Sequence, residues 1–245
     1  DDKNYPGDYI VAVDFDGDFV SDNNWDNLDS DKADLSAVIY YSVIETVTHY
    51  FVLYADFHPQ DWAKQCNIPF LEPCHENDME GAMVVVRKNE DPFGTFELLY
   101  TEAHNVLHIF HNNPELVALT NPDVEDTPVT FENGSHPELY VESKGHGVCA
   151  LYYNGTDHCK HDVSQKPPKF GANDGVIYRY KGVAETPSSG SDSDVGYKLI
   201  PLESALWAKR DDICDDGCLF DTTFVYEGVT LPKAFDGDKY GKDKA

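Results

Sequence analysis

Residues 36–47 read SAVIYYSVIETV, and residues 50–57 follow with YFVLYADF. β-Branched and aromatic side chains crowd both runs, so both predict strands. Downstream, residues 82–88 form a compact apolar run that predicts a strand buried on both faces. Further strand-like runs occupy residues 93–100, 107–111, 139–143, 147–153, 175–180 and 222–226. Asp91-Pro92, Asn113-Pro114, Asn121-Pro122, Asn133-Gly134 and Asn154-Gly155 punctuate them as turns. A helix is expected over residues 202–210, opening after Pro201 with Glu203 in its first turn and closing on Lys209 and Arg210. A shorter helix is expected near residues 30–35. Many short strands with few helices argue for an all-β-dominated chain: a single β-sandwich with few short helices and long decorated loops. The expected organisation is one domain over residues 1–245, with an acidic segment (1–35), a core (36–231) and a fraying tail (232–245). Residues 185–195, ETPSSGSDSDV, carry almost no apolar content and read as an exposed loop.

The chain has 245 residues, of which 41% are hydrophobic, enough for a sizeable core. Eighteen Lys and Arg against 45 Asp and Glu leave a formal charge of -27, which repels a polyphosphate backbone and excludes nucleic acid as a partner. The apolar runs fall far short of the ~20 residues of a membrane-spanning helix, so no transmembrane segment is expected. Six cysteines occur as close pairs in sequence: Cys66 with Cys74, Cys149 with Cys159, Cys214 with Cys218. No Cys-x-x-Cys spacing favours zinc, so three short-loop disulfides are the simplest reading. Sequons at Asn133 and Asn154 fit glycosylation in an oxidising route. Low Lys, high Asp and the sequons together predict a secreted, extracellular eukaryotic protein of fungal type; a monomer is expected.

The richest chemistry lies in residues 74–81, CHENDMEG, immediately before the apolar run. If this stretch is extended, Asp78 and Glu80 leave the same side, because strand side chains alternate. His75 can fold in beside them, and Asp61, in HPQDW, follows the preceding strand. A Cys66–Cys74 bridge would fasten that loop beside His75. One imidazole and several carboxylates form an N/O set that suits Ca²⁺ or Mg²⁺ first, with Mn²⁺ and Zn²⁺ as further occupants. The bland alternative is a polar loop in an acidic protein. His104, His136 and His146 occur in turn-like contexts and, with Glu76, are candidates for acid–base work. His108, His111, His158 and His161 receive no assignment.

His75, Asp78 and Glu80 resemble the metal-binding positions of the heptapeptide Gly-His-Arg-His-Asp-Trp-Glu, the hallmark of the necrosis- and ethylene-inducing-peptide-like proteins (NLPs), secreted cytolysins of plant-associated microbes. Asp61 is similar to that family's upstream ligand. Ala82–Val86 as a hydrophobic strand, Ala103-His104-Asn105, His136-Pro137 and His146 follow in the family's order. Residues 199–210 and 220–230 look like its late strand, helix and closing segment. The resemblance implies a β-sandwich that binds a divalent ion and, through it, a glycan or glycolipid head group. The departures are Cys74, Glu76, Asn77 and Met79 in place of the family's Gly, Arg, His and Trp, and they put cytolysis in question. The His-Glu-Asn-Asp pattern is also similar to a broader group of secreted fungal and bacterial domain proteins named for vacuolar-sorting-associated sequences.

A second acidic cluster offers Asp14, Asp16, Asp18 and Asp22 for a structural calcium, without the Gly and Glu spacing of an EF-hand. No nucleophile elbow, phosphate-binding loop or His-Glu-x-x-His helix is present. Three functional readings follow: metal-dependent recognition of a glycan or glycolipid head group; a metal-dependent hydrolase or lyase acting on an extracellular polysaccharide; and a secreted scaffold stapled by metals.

Overall fold

The computed structural model describes residues 6–20, 23–61, 75–103, 106–113, 124–125, 127–153, 159, 175–209, 223–226 and 229–232, with backbone alone for residues 75, 223–226 and 229–232. Strands β1 (Val38–Glu45), β2 (His49–Asp61), β3 (His75–Arg87), β4 (Thr95–Ala103) and β5 (Val106–Phe110) run as an antiparallel meander. Short ribbons follow: β6 (Phe131–Glu132) with β7 (His136–Pro137), and β8 (Leu139–Val141) with β9 (Val148–Ala150). Late in the chain, β10 (Tyr178–Tyr180) and β11 (Val195–Pro201) join the meander in parallel, giving a seven-stranded mixed sheet of order β10-β11-β1-β2-β3-β4-β5. A last hairpin pairs β12 (Thr223–Tyr226) with β13 (Val229–Pro232). The helices are single turns, α1 (Asn24–Asn27) and α2 (Leu202–Ala205). The chain is β-dominated, as its strand-like runs predict.

The two faces of the large sheet follow from alternation. Val38, Tyr40, Ala55, Phe57 and Met79 turn to one side, where Tyr9, Val11, Val13, Phe15 and Leu28 of the N-terminal segment cover them with Leu202 and Leu206. Val52, Tyr54, Ala82, Val84, Leu99 and Phe110 turn to the other, under Val129 and the β9 residues Val148, Cys149 and Ala150. Burying each large side chain contributes about 1.5–3 kcal/mol. The N-terminal acidic segment is therefore structural over its described residues: Tyr9, Val11, Val13, Phe15 and Leu28 roof one face. Val11 donates its N–H to the Phe57 carbonyl at 3.0 Å, and Tyr40 Oη accepts the Val13 N–H at 2.9 Å.

Three local expectations change. No helix forms over 30–35, because Ser30 Oγ and Asp34 Oδ1 capture the N–H groups of Lys32 and Ser36 and hold turns there; the helical turn lies earlier, at α1. The expected 202–210 helix stops after one turn and tightens into a 3-10 turn at Trp207–Lys209, and Arg210 lies outside the described residues. His75 does not fold in from a preceding loop: residues 75–81 are strand throughout, and His75 already opens β3, which runs unbroken to Arg87. Of the expected disulfides, Cys149–Cys159 is present, while Cys66, Cys74, Cys214 and Cys218 lie outside the described residues. Among the described residues no helix is long and apolar enough to cross a membrane.

Candidate functional site

Strands β2 and β3 are held in one long register, and its rows change character along the shared face. Val52–Val84 and Tyr54–Ala82 are apolar. The next rows on that side are Asp56–Glu80, His58–Asp78 and Gln60–Glu76, and all six residues are buried. A buried polar group costs about 1–3 kcal/mol when it lacks a partner, so three consecutive polar rows mark a site rather than a core. Beyond Ala55, β1 no longer pairs with β2, which lets Pro59 sit in the strand without breaking a ladder. Opposite Pro59 the register skips Asn77, whose φ is 59°. Asn77 is thus a left-handed residue within the strand, between Glu76 and Asp78.

His146 closes the ladder from above. It reaches the site from the loop before β9, where Lys144 and His146 both adopt positive φ (80° and 47°), a strained backbone kept in place by its contacts. Gly147 permits the close approach to β4: a Cβ there would meet Ala103 Cβ at 2.8 Å and Glu142 Oε2 at 2.9 Å. The His146 ring stacks on His58, with centroids 3.7 Å apart and planes 3° from parallel. Its Nδ1 bonds Asp78 Oδ2 at 2.7 Å and its Nε2 bonds Asp8 Oδ1 at 3.2 Å. Burial alone would depress the His146 pKa, but the hydrogen bonds and charges of Asp78 and Asp8 outweigh it and raise the value to about 10. His58 moves the other way: burial, then the charge of His146, hold its pKa below the ordinary value against the pull of Asp56. One ring is thus a cation clamped by two carboxylates, and the other is neutral, with Nε2 3.3 Å from Asp56 Oδ2 and no hydrogen-bond partner for Nδ1 among the described residues.

Asp78, Glu80, Glu76 and His146 meet in or beside the ladder. Asp61 and His75 face each other across the end of the β2–β3 hairpin as register partners. Among the described residues no group of three or more His, Cys, Asp or Glu side chains stands ready to hold an ion. His146 uses both ring nitrogens on carboxylates, an arrangement that suits an imidazolium clamp better than a general base. His136 is exposed on β7 and bonds Ser135 Oγ at 3.0 Å. Asn133 is exposed with φ 53° in the β6–β7 turn; His104, Asn154 and Asp22 lie outside the described residues. The stretch holding Asp14, Asp16 and Asp18 is a run of turns, not the extended alternation the calcium reading needs. There Asp16 accepts Asn27 Nδ2 at 2.8 Å and the Asp18 N–H at 3.3 Å, while Asp18 accepts the Val20 N–H at 2.8 Å.

Asp8, Asn24, His58 and Gln60 were not among the sequence candidates. Gln60 and His58 carry a signal in retrospect: with Asp56 they recur at every second position of a strand-like run, the pattern of one face. Asp8 and Asn24 carry none, because only the fold brings residues 52 and more positions away onto β3 and the His146 loop.

No family model matches the chain, and no curated protein matches it. Solved structures similar to part of it include the non-toxic HaNLP3 protein, at 16% identity over 50% of this chain and 49% of that one (TM-score 0.34). Another is Necrosis and Ethylene inducing Protein 2 from the causal agent of cocoa's Witches Broom disease, at 19% identity over 49% and 47% (TM-score 0.32). NLPPya in complex with glucosamine matches at 15% identity over 76% and 57% (TM-score 0.35). The chain thus spans about half to three-fifths of the length of these proteins.

Proposed function

We propose that the chain recognises a neutral glycan or glycolipid head group at the Asp61–His75 end of the β2–β3 hairpin, with a divalent ion held by His75, Asp78, Glu80 and Asp61. The observation that supports this most is the buried polar ladder, continued by His146, in a sheet whose neighbouring rows are fully apolar. The donor chemistry fits the ion: three carboxylates and one imidazole are a hard-cation set, and the Asp78 and Glu80 side chains are buried two residues apart on one strand. When bound, such an ion supplies coordination sites for sugar hydroxyls. The chain's own residues do the rest. The His146 imidazolium fixes the Asp78 carboxylate through Nδ1 and ties it to Asp8 through Nε2, while His58 packs beneath the ring and holds it in plane. The formal charge of -27 makes a neutral ligand more favourable than an anionic polymer or lipid surface. A secreted, extracellular location is part of the proposal.

The alternative, a hydrolase or lyase using the same ion, requires a base beside it, and the clamped state of His146 weighs against that residue in the role. A neutral-glycan array on the intact chain, with and without chelator, tests the proposal, paired with a screen for new reducing ends. Retention of a neutral glycan that chelation abolishes and that remains uncleaved is expected. Chelator-dependent cleavage would establish the enzyme instead, and no retention at all would overturn the recognition reading.

A further inference from the structure

α1 lies against the end of the β2–β3 hairpin, and its polar groups are disposed unevenly. The donors are used. Asn24 gives its backbone N–H to Glu76 Oε2 at 3.2 Å and its Nδ2 to Asn77 Oδ1. Gln60 gives Nε2 to the Trp25 carbonyl at 3.4 Å. That last contact fixes the Gln60 amide, since a carbonyl only accepts and the amide nitrogen must be the atom facing it. What remains is a set of acceptors. Asn23 Oδ1, Asn24 Oδ1 and Gln60 Oε1 are buried and find no hydrogen-bond partner among the described residues. Asn24 and Gln60 are each only 1% exposed. Gln60 is the direct cross-strand partner of Glu76, so the amides and the carboxylate gather at one place.

Leaving an acceptor buried without a partner costs about 1–3 kcal/mol, and here three such oxygens belong to α1, its N-cap Asn23 and the strand residue paired with Glu76. An anion would worsen the imbalance, and one water brings only two protons for three oxygens. A cation satisfies every atom at once. Amide carbonyl oxygens with a carboxylate are the donor set of Ca²⁺, which tolerates irregular geometry, more than of Mg²⁺, which keeps its waters. We infer that the pocket formed by Asn23, Asn24, Gln60 and Glu76 binds a hard cation of the calcium type, joining α1 to the β2–β3 hairpin. It shares no ligand with the set His75, Asp78, Glu80 and Asp61, and does not depend on that set being filled.

The test uses the intact, chelated protein and Tb³⁺ as a luminescent stand-in for Ca²⁺, with Trp25 beside the pocket as the sensitiser. Saturable emission that Ca²⁺ displaces is expected, falling several-fold in Trp25→Phe but not in Trp62→Phe, where the tryptophan adjoins Asp61 in sequence. Gln60→Leu should weaken binding, and Gln60→Glu, which adds a charged ligand, should tighten it about tenfold. Asp78→Asn should leave this emission in place. Should Gln60→Leu fail to fold, Gln60→Glu decides, since an unchanged affinity overturns the site. Emission lost in Asp78→Asn but indifferent to Gln60 would mean the ion sits only on the other set. Absence of saturable emission would mean that water alone fills the pocket. Either result overturns the inference.

Discussion

His146 carries more of the site than any other single residue. Its two nitrogens engage Asp78 and Asp8, and its ring is buried against His58. Replacing it by leucine removes the imidazolium that these two carboxylates share, and removal of one partner from a buried pair costs about 3–5 kcal/mol. His146→Leu is expected to lose stability on that scale in urea unfolding, and a loss below about 1 kcal/mol would show that the clamp is not formed. Asp8 is partly exposed, so Asp8→Asn should cost distinctly less, within the ~0–1 kcal/mol range of solvent-screened pairs. Gly147→Val, by contrast, acts through crowding. The added atoms collide with Ala103 and Glu142, and overpacking of this kind costs about 1–3 kcal/mol. Urea unfolding of that variant indistinguishable from wild type would mean the loop approaches β4 less closely than described.

At the scale of elements, the N-terminal segment and the Cys149–Cys159 bridge hold the site's two covers in place. The bridge closes a short loop behind β9, the strand that follows the His146 loop, and a disulfide of such span contributes about 2–4 kcal/mol. Cys149→Ser with Cys159→Ser should fall by that amount and loosen the His146 loop, read as faster amide exchange at residues 144–147; unchanged exchange there would contradict the link. The N-terminal segment is joined to the sheet through Tyr40, whose buried hydroxyl accepts the Val13 N–H. Tyr40→Phe strands that donor and should cost about 1–3 kcal/mol in urea unfolding. These elements were unequally legible in the sequence. The meander showed itself because Val, Ile, Tyr and Phe crowd its strands. The helical expectation at 30–35 failed because Ser30 and Asp34 spend their side chains on the backbone, a local competition that propensity alone does not rank. β11 went without a prediction of its own from periodicity, since Gly196, Lys198 and Pro201 dilute its apolar pattern, and pairing with β1 decides it.

For the molecule as a whole, 45 acidic residues against 18 basic ones oppose compaction, and the repulsion is long-ranged at low salt. Raising ionic strength from about 0.01 M to about 0.15 M shortens the screening length from about 30 Å to about 8 Å. The melting temperature should rise across that interval; a flat or falling one would mean that the charges are already neutralised by bound ions. The same scale explains what the sequence could show of the site. Asp78, Glu80 and Glu76 stand out in one short stretch, but their burial, the stacked histidines and the contributions of Asp8 and Asn24 arise only when distant segments meet over one hairpin. All of these segments converge on the hairpin end proposed to receive the ligand. The most direct check is equilibrium binding of the array-selected neutral glycan, in the presence of a divalent ion, to wild type and to Asp78→Asn at matched folded fraction. An affinity loss of at least about tenfold is expected, the equivalent of one charge-assisted contact of ~1.4 kcal/mol. Equal affinity of the two proteins would place recognition elsewhere on the molecule and contradict the proposal.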